Sequence, residues 1–305
     1  DKIEKNKKSC VSRKTLKSSN SVDQVVMVNL SLNEKYAGSA SCSNIEFSEV
    51  TVEKCARSLR RNGIVILKEL FAKDCVSQWT EAVIKDLNCA LKAVPTDQDH
   101  SNLKYHELAS RQKLRYEIRN GKEMNAKEGK EILLAHDGVM RIIREAFACN
   151  GNEPVNIKEI RKDKDFGAFV SLPGAREQKL HADLDPLFFG GPHLPAHYLT
   201  MFLPMLDKES GAYDSAVGQT EFFPGTHVLA AAEKVLNGEC AKSIKPQLSS
   251  GDAIIYDARL LHRGLANTSK STVRPLLYVN FQRSWFVDNQ NWNENSLFDD
   301  QNTKG

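Results

Sequence analysis

From residue 166 onward the chain is a succession of short apolar runs, each closed by turn-forming residues, and this punctuation limits its folds more than any other feature. The runs cover residues 166–172, 180–184, 198–203, 220–223, 253–256 and 273–281. Between them stand Pro173-Gly174, Gly190-Gly191-Pro192, Pro224-Gly225 and Gly251-Asp252. Runs this short, rich in β-branched and aromatic side chains and bounded by Gly and Pro, read as strands. Many short strands joined by tight turns close on themselves as two packed sheets, which predicts a double-stranded β-helix, the jelly-roll or cupin-like architecture.

The first half reads differently. Residues 52–59 fit a short helix that ends near Gly63, and Ile64 to Leu67 fit a buried strand. Val76, Trp79, Val83, Ile84 and Leu87 recur at helical spacing within 71–91, and residues 131–147 repeat that pattern. The class expected is therefore α+β, mainly β, with N-terminal helices packed outside the sheet. Residues 95–128 are polar and aperiodic, and a lid or disordered loop is expected there.

A chain of 305 residues with 41% apolar and 27% charged residues can bury one large core. One domain is expected over 46–290. Residues 1–45 combine Lys2, Lys5, Lys7, Lys8, Arg13, Lys14 and Lys17 with a Ser-rich stretch, the composition of a flexible basic tail. Residues 291–305 read as a polar C-terminal tail. The net charge of +3 gives nucleic-acid binding little support, and no apolar run approaches the length of a membrane span. Seven cysteines without Cys-x-x-Cys spacing, an odd number, argue against a disulfide framework and favour a reducing compartment. The expected setting is cytoplasmic, with a plastid or peroxisome as the lesser alternative. The oligomeric state is unknown at this stage.

Within the strand region, His181, Ala182 and Asp183 form a His-x-Asp step. Side chains at i and i+2 of a strand share a face, so His181 and Asp183 can occupy adjacent corners of one coordination sphere. A third ligand has to come from a later strand passing alongside, and His262, in His262-Arg263-Gly264, is the residue best placed. Two imidazoles and one carboxylate make the ligand set of a mononuclear non-haem iron oxygenase. Arg274, twelve residues beyond His262, supplies a guanidinium that can grip the far carboxylate of 2-oxoglutarate bidentately. If Arg274 faces the lumen, so do Leu276, Tyr278 and Asn280, while Leu277, Val279 and Phe281 face packing. On the run beginning at Tyr198, Tyr198 and Thr200 share a face, and Thr200 is expected to donate to the same co-substrate carboxylate.

These residues resemble a known family. The stretches Gln178-Lys179-Leu180-His181-Ala182-Asp183, Glu221-Phe222-Phe223-Pro224-Gly225-Thr226-His227, Gly251-Asp252 leading to Leu261-His262-Arg263-Gly264, and Arg274 are similar to the phytanoyl-CoA dioxygenase family of iron(II)- and 2-oxoglutarate-dependent oxygenases. The resemblance covers residues from about 50 to 285, beginning at Asn62-Gly63-Ile64-Val65-Ile66-Leu67. It implies a jelly-roll fold, Fe(II), 2-oxoglutarate and O2 as cofactors, and oxidation of a small-molecule C–H bond with release of succinate and CO2. Hydroxylation is the default outcome, with desaturation or cyclisation open. Substrate residues do not carry over, since members act on very different molecules. Because Asp183 keeps its carboxylate, halogenation is not expected.

Phe188, Phe189, Tyr198, Tyr278 and Trp285 are candidates to line a substrate pocket, and Arg283 is a candidate partner for a substrate carboxylate. The substrate expected is a small polar molecule, with an amino-acid-derived metabolite as the candidate class. His193 and His197 read as bordering the mouth of the site, and His227 as fixing its own turn. Two alternatives stand beside the oxygenase: a cupin-like isomerase or lyase that needs no 2-oxoglutarate, and a non-catalytic metal-dependent sensor.

Overall fold

A computed structural model describes residues 25–29, 47–125, 136–148, 154–156, 160–161, 166–189, 193–206, 215–239, 241–288 and 295–298. The helices are α1 (Glu49–Asn62), α2 (Lys73–Ala93), α3 (Asp137–Phe147) and α4 (Leu229–Leu236). The strands are β1 (Met27–Asn29), β2 (Ile64–Lys68), β3 (Leu108–Gln112), β4 (Arg115–Arg119), β5 (Ile160–Arg161) and β6 (Phe166–Ser171). They continue with β7 (Tyr198–Pro204), β8 (Thr220–Phe222), β9 (Ala253–Asp257), β10 (His262–Gly264) and β11 (Arg274–Arg283).

Eight of the strands form a large sheet in the order β1-β2-β9-β7-β11-β6-β4-β3, and β5 pairs with the end of β11. The opposing sheet is smaller. β8 and β10 pair antiparallel, Phe222 bridges to Ile244, and His181 bridges to His262. Two sheets face to face with these crossovers make the double-stranded β-helix anticipated from the turn punctuation.

Local chemistry explains the entry to the sheet. The Ser48 hydroxyl accepts from the Thr51 amide, Glu49 sits in the first turn of α1, and Arg60 and Arg61 sit in the last. Each complements the helix dipole. Gly63 adopts φ 73° and donates its N–H to the Leu59 carbonyl, 3.0 Å away, which ends the helix and turns the chain into β2.

Period-two alternation in the large sheet sorts side chains onto two faces. Val65, Leu67, Leu199, Met201, Ile255, Leu277, Val279 and Phe281 belong to the outer cluster, where helix residues Leu59, Val83, Ile142 and Ile143 meet them. Ile64, Ile66, Phe202, Ile254, Tyr256, Leu276 and Tyr278 face inward, against Phe222, Leu248 and Leu260. The helices thus cover the outer face of the large sheet, and the space between the sheets is left for a site.

Several expectations change. The 95–128 region is no loop throughout: β3 and β4 form a hairpin that joins the sheet beside β6. Its turn gives no Gly or Asn signal, because Leu114 itself takes the left-handed conformation at φ 64°. Residues 126–128 lie outside the described residues. Residues 180–184 are extended but form only one bridge, at His181. Within the expected N-terminal tail, Met27–Asn29 pairs parallel with β2, and the rest of that tail lies outside the described residues. Of the expected C-terminal tail, residues 295–298 are described, and they dock on the hairpin. His106 N–H donates to the Asn295 carbonyl at 2.7 Å, and the Glu107 carboxylate accepts from the Ser296 hydroxyl and the Leu297 amide. Cys75 is disulfide-bonded, against the expectation, whereas Cys55 and Cys89 are free. No helix among the described residues is long and apolar enough to cross a membrane.

Candidate metal centre and its adjoining cavities

His181, Asp183 and His262 come together between the sheets, each offering one ligand atom, all within 4.8 Å of one another. His262 Nε2 lies 3.6 Å from Asp183 Oδ1, and His181 Nε2 lies 3.9 Å from it. Backbone pairing builds this convergence. His181 and His262 exchange both amide–carbonyl bonds, at 3.1 and 2.8 Å, so their rings start from opposed positions and sit 4.6 Å apart. The Asp183 and Leu184 amides both donate to the Ala258 carbonyl, which bends the segment away from β10 and brings the carboxylate back across the rings.

The groups behind the ligands fix which atoms face inward. His181 Nδ1 lies 2.8 Å from the Lys179 carbonyl, and His262 Nδ1 lies 3.0 Å from that of Leu260. A ring nitrogen facing a carbonyl carries the proton, so in both residues Nε2 presents its lone pair to the shared centre. Burial holds the His262 imidazole below its ordinary pKa against the opposing pull of Asp183, which keeps it neutral. The Tyr256 hydroxyl donates to Asp183 Oδ2 at 2.7 Å, leaving Oδ1 directed at the histidines. Burial first, and Asp183 second, push Tyr256 well above the ordinary phenol range, so it remains a donor.

This donor set fits a divalent iron. Two neutral imidazole nitrogens and one carboxylate oxygen lie on one side of a common point, with the outer hydrogen bonds already made. The co-substrate fit rests on a small cavity lined by the three ligands together with Arg274, Arg115 and Thr220. Arg274 donates to the Thr220 hydroxyl at 3.0 Å. Arg115, only 3% exposed, donates to the Ser171 hydroxyl and to two backbone carbonyls, all neutral acceptors. Burial, and then the nearby Arg274, lower the Arg115 pKa to about 10. Two guanidiniums in one enclosed space whose lining has no carboxylate but Asp183 suit a bound anion.

Sequence-predicted residues are distributed unevenly over this site. The three ligands and Arg274 are brought together. Thr200 is not brought to Arg274: its hydroxyl donates to Asn280 Oδ1 at 2.9 Å, and it lines a second cavity with Tyr198. The hydroxyl that meets Arg274 is Thr220, one strand over in the small sheet. Arg283 also lies away from both cavities. Its odd position on β11 turns it to the outer face, where it reaches toward the Phe147 carbonyl at 3.4 Å. The aromatic candidates separate. Tyr198 and Tyr278 line the second cavity, whereas Phe188, Phe189 and Trp285 are each more than half exposed. His197 is buried against Trp285 and Phe286, and His193 packs on His227. The His227 Nε2 lies 3.2 Å from the Arg60 carbonyl, as befits a residue that fixes its own corner.

That second cavity, of about 230 Å³, adjoins the metal ligands His181 and Asp183 and is walled by Arg111, Glu117, Arg119 and Asp288. Three of these come from the unforeseen hairpin. A signal was present: in Arg115-Tyr116-Glu117-Ile118-Arg119 charged and apolar residues alternate, as on a strand with one polar face turned into a site.

No family model matches the sequence. Solved structures of similar fold exist. The non-heme alpha ketoglutarate dependent epimerase SnoN from nogalamycin biosynthesis matches 77% of this chain and 84% of its own, at TM-score 0.53 and 14% identity. The carbocyclase SnoK, from the same biosynthesis, matches 78% and 84% at TM-score 0.50 and 16% identity. EctD from S. alaskensis, solved with bound Fe, matches 84% of each chain at TM-score 0.51 and 15% identity. At such identities the likeness establishes a shared double-stranded β-helix fold.

Proposed function

We propose that this chain is an iron(II)- and 2-oxoglutarate-dependent oxygenase, of the kind its phytanoyl-CoA dioxygenase motifs imply, acting on a small polar metabolite. The reading is carried by one observation: His181 Nε2, His262 Nε2 and Asp183 Oδ1 converge in a cavity that also contains Arg274 and Arg115. Iron with 2-oxoglutarate supplies the oxidising power, one oxygen atom of O2 going to the substrate carbon and the other to succinate as CO2 is lost.

The protein's own part is placement. His181, Asp183 and His262 would hold the ion, and three ligands from the protein would leave it positions for co-substrate and O2. Tyr256 keeps Asp183 turned so that Oδ1 binds while Oδ2 stays satisfied. Arg274, with Arg115 beside it, would receive the distal carboxylate of 2-oxoglutarate, and Phe202 and Leu276 line the same cavity as its apolar wall. The fold neighbours, an epimerase and a carbocyclase dependent on alpha ketoglutarate, support the co-substrate. They also support more than one fate for an oxidised carbon, hydroxylation being the default.

Anaerobic addition of ferrous iron and 2-oxoglutarate tests the reading. A weak visible charge-transfer band is expected, with slow succinate release once air is admitted. Arg274→Ala should raise the 2-oxoglutarate concentration needed for the band roughly 10- to 100-fold, the equivalent of a lost charge-assisted hydrogen bond. Absence of both band and succinate from the iron-loaded protein would favour the isomerase or lyase alternative.

A further inference from the structure

Where the chain leaves the large sheet for the small one, residues 258–261 join the end of β9 to His262 on β10. That corner carries the carbonyls that orient two of the three candidate ligands. The Ala258 carbonyl accepts from the Asp183 amide at 2.9 Å and from the Leu184 amide at 3.0 Å, and the Leu260 carbonyl lies 3.0 Å from His262 Nδ1. Ala258 and Leu260 are fully buried, so a shift of the corner passes directly to the ligands.

Something must hold the corner itself. Asp257 and Arg259 flank Ala258, with side chains only 2% and 6% exposed. Arg259 grips Asp257 bidentately: its Nε donates to Oδ1 at 2.8 Å and its Nη2 to Oδ2 at 2.7 Å. The Arg259 amide donates to Asp257 Oδ1 at 3.0 Å, and the Leu260 amide donates to the Asp257 carbonyl at 2.8 Å, which folds the corner into a tight turn. Arg259 Nη1 donates to the Leu194 carbonyl at 3.0 Å. The chain leaving the ligands at Leu184 is thus tied to residue 258, and where it returns at Leu194 it is tied to residue 259. Burial would raise the Asp257 pKa, but Arg259 and then His227 outweigh it and hold the carboxyl below the ordinary aspartate value.

A buried pair of this kind adds little net stability over apolar side chains of the same volume, because desolvation offsets the attraction. Its effect is geometric, since a planar fork on a carboxylate admits one arrangement of the turn. Neither side chain lines either cavity beside the ligands, so the pair acts through the backbone.

We propose that the Asp257–Arg259 pair positions the metal centre: it fixes the corner whose Ala258 and Leu260 carbonyls set Asp183 and His262 for coordination. The proposal rests on the oxygenase reading for what is bound, and on the hydrogen bonds alone for what is held.

The test uses the full-length protein with cobalt(II) as the probe, because the visible absorption of bound cobalt reports the arrangement of its ligands. Arg259→Lys keeps a cation beside Asp257 but cannot form the fork. Asp257→Leu combined with Arg259→Met removes both charges and leaves none buried alone. Each should lower cobalt affinity about 10- to 100-fold, the range for losing a group behind a ligand, and alter the visible spectrum. Hydrogen exchange of the Asp183 and Leu184 amides, read by NMR on metal-free protein, should quicken in both. Leu277→Ala, which weakens only the outer apolar layer, should leave cobalt affinity and spectrum unchanged and so sets the baseline for lost stability. Parental affinity and spectrum in both corner variants would overturn the proposal, as would unchanged exchange at Asp183 and Leu184 or an equal loss of affinity in Leu277→Ala. Should the double variant fail to fold, Arg259→Lys decides alone. If the parent protein binds no divalent cation, the oxygenase reading fails, and the exchange rates still decide whether the pair holds Asp183, which separates the two failures.

Discussion

The two faces of β11 solve opposite problems with one run of ten residues. Leu277, Val279 and Phe281 point outward into a continuous apolar layer beneath the helices, and each is at most 1% exposed. Arg274, Tyr278 and Asn280 point inward, and each makes a polar contact with a different strand: Thr220, Glu117 and Thr200. Alternation at one residue per step is what allows both. The outer face supplies stability by burial and carries a charge only at its end, at Arg283, whereas the inner face gives up close apolar packing for cavities lined with charge. Substitutions on the two faces should therefore register in different measurements.

The sharpest separation comes from the metal ligands. His262→Ala should lower ferrous affinity by more than the roughly 100-fold typical of losing an outer hydrogen bond to a ligand, as read by metal titration. A protein that still bound iron with parental affinity would break the assignment of the inner face. Leu277→Ala should cost about 2–5 kcal/mol in denaturant unfolding, through a cavity in the outer layer, and leave iron and 2-oxoglutarate affinity near the parental values. A large loss of ligand affinity in that variant would mean the faces are energetically coupled. Tyr256→Phe removes one hydroxyl from the inner face and frees Asp183 Oδ2. It should weaken iron binding about 10-fold while changing the unfolding free energy by about 1 kcal/mol.

The smallest effect expected is a pH dependence of stability. Glu117 has a folded-state pKa below its unfolded one, so its contribution is complete above the ordinary glutamate pKa near 4.5 and is lost as pH falls through the depressed value. Buried His136 and His227, held below 6.5 chiefly by burial, act in the same direction from pH 6.5 downward, because the unfolded chain binds their protons more readily. Unfolding followed from pH 7 to pH 3 should show stability falling in two stages, and Glu117→Gln should flatten the more acidic one. Persistence of the acidic stage in Glu117→Gln would remove Glu117 as its source.

The sequence made the inner face legible where two independent regularities coincided. At residues 181–183 a ligand pair met strand parity, and at Arg274 the parity of β11 predicted correctly which neighbours share the lumen. It failed where a side chain's role depends on a strand with no periodic signature. The β3–β4 hairpin was hidden by a turn in which Leu114 takes a conformation usually left to glycine or asparagine. Its strands carry charges where a solvated loop would carry them too. Arg115 and Arg111 consequently could not be assigned, and Arg283, expected to meet a substrate carboxylate, turns to the outer face instead. Thr200 illustrates a subtler limit. Its face was right, but which of two cavities that face addresses depends on the crossing of two sheets, which a single strand's pattern does not contain.

The docking of residues 295–298 on the hairpin has a consequence for how this protein is shortened. Glu107, which clasps Ser296 and Leu297, sits one residue before β3 and is continuous with the backbone that presents Arg111. A truncation that trims those distal residues as dispensable leaves the candidate metal ligands and Arg274 untouched while unmooring the hairpin that walls the adjoining cavity. Such a protein would keep the convergence of His181, Asp183 and His262 while losing the support of the cavity wall beside it.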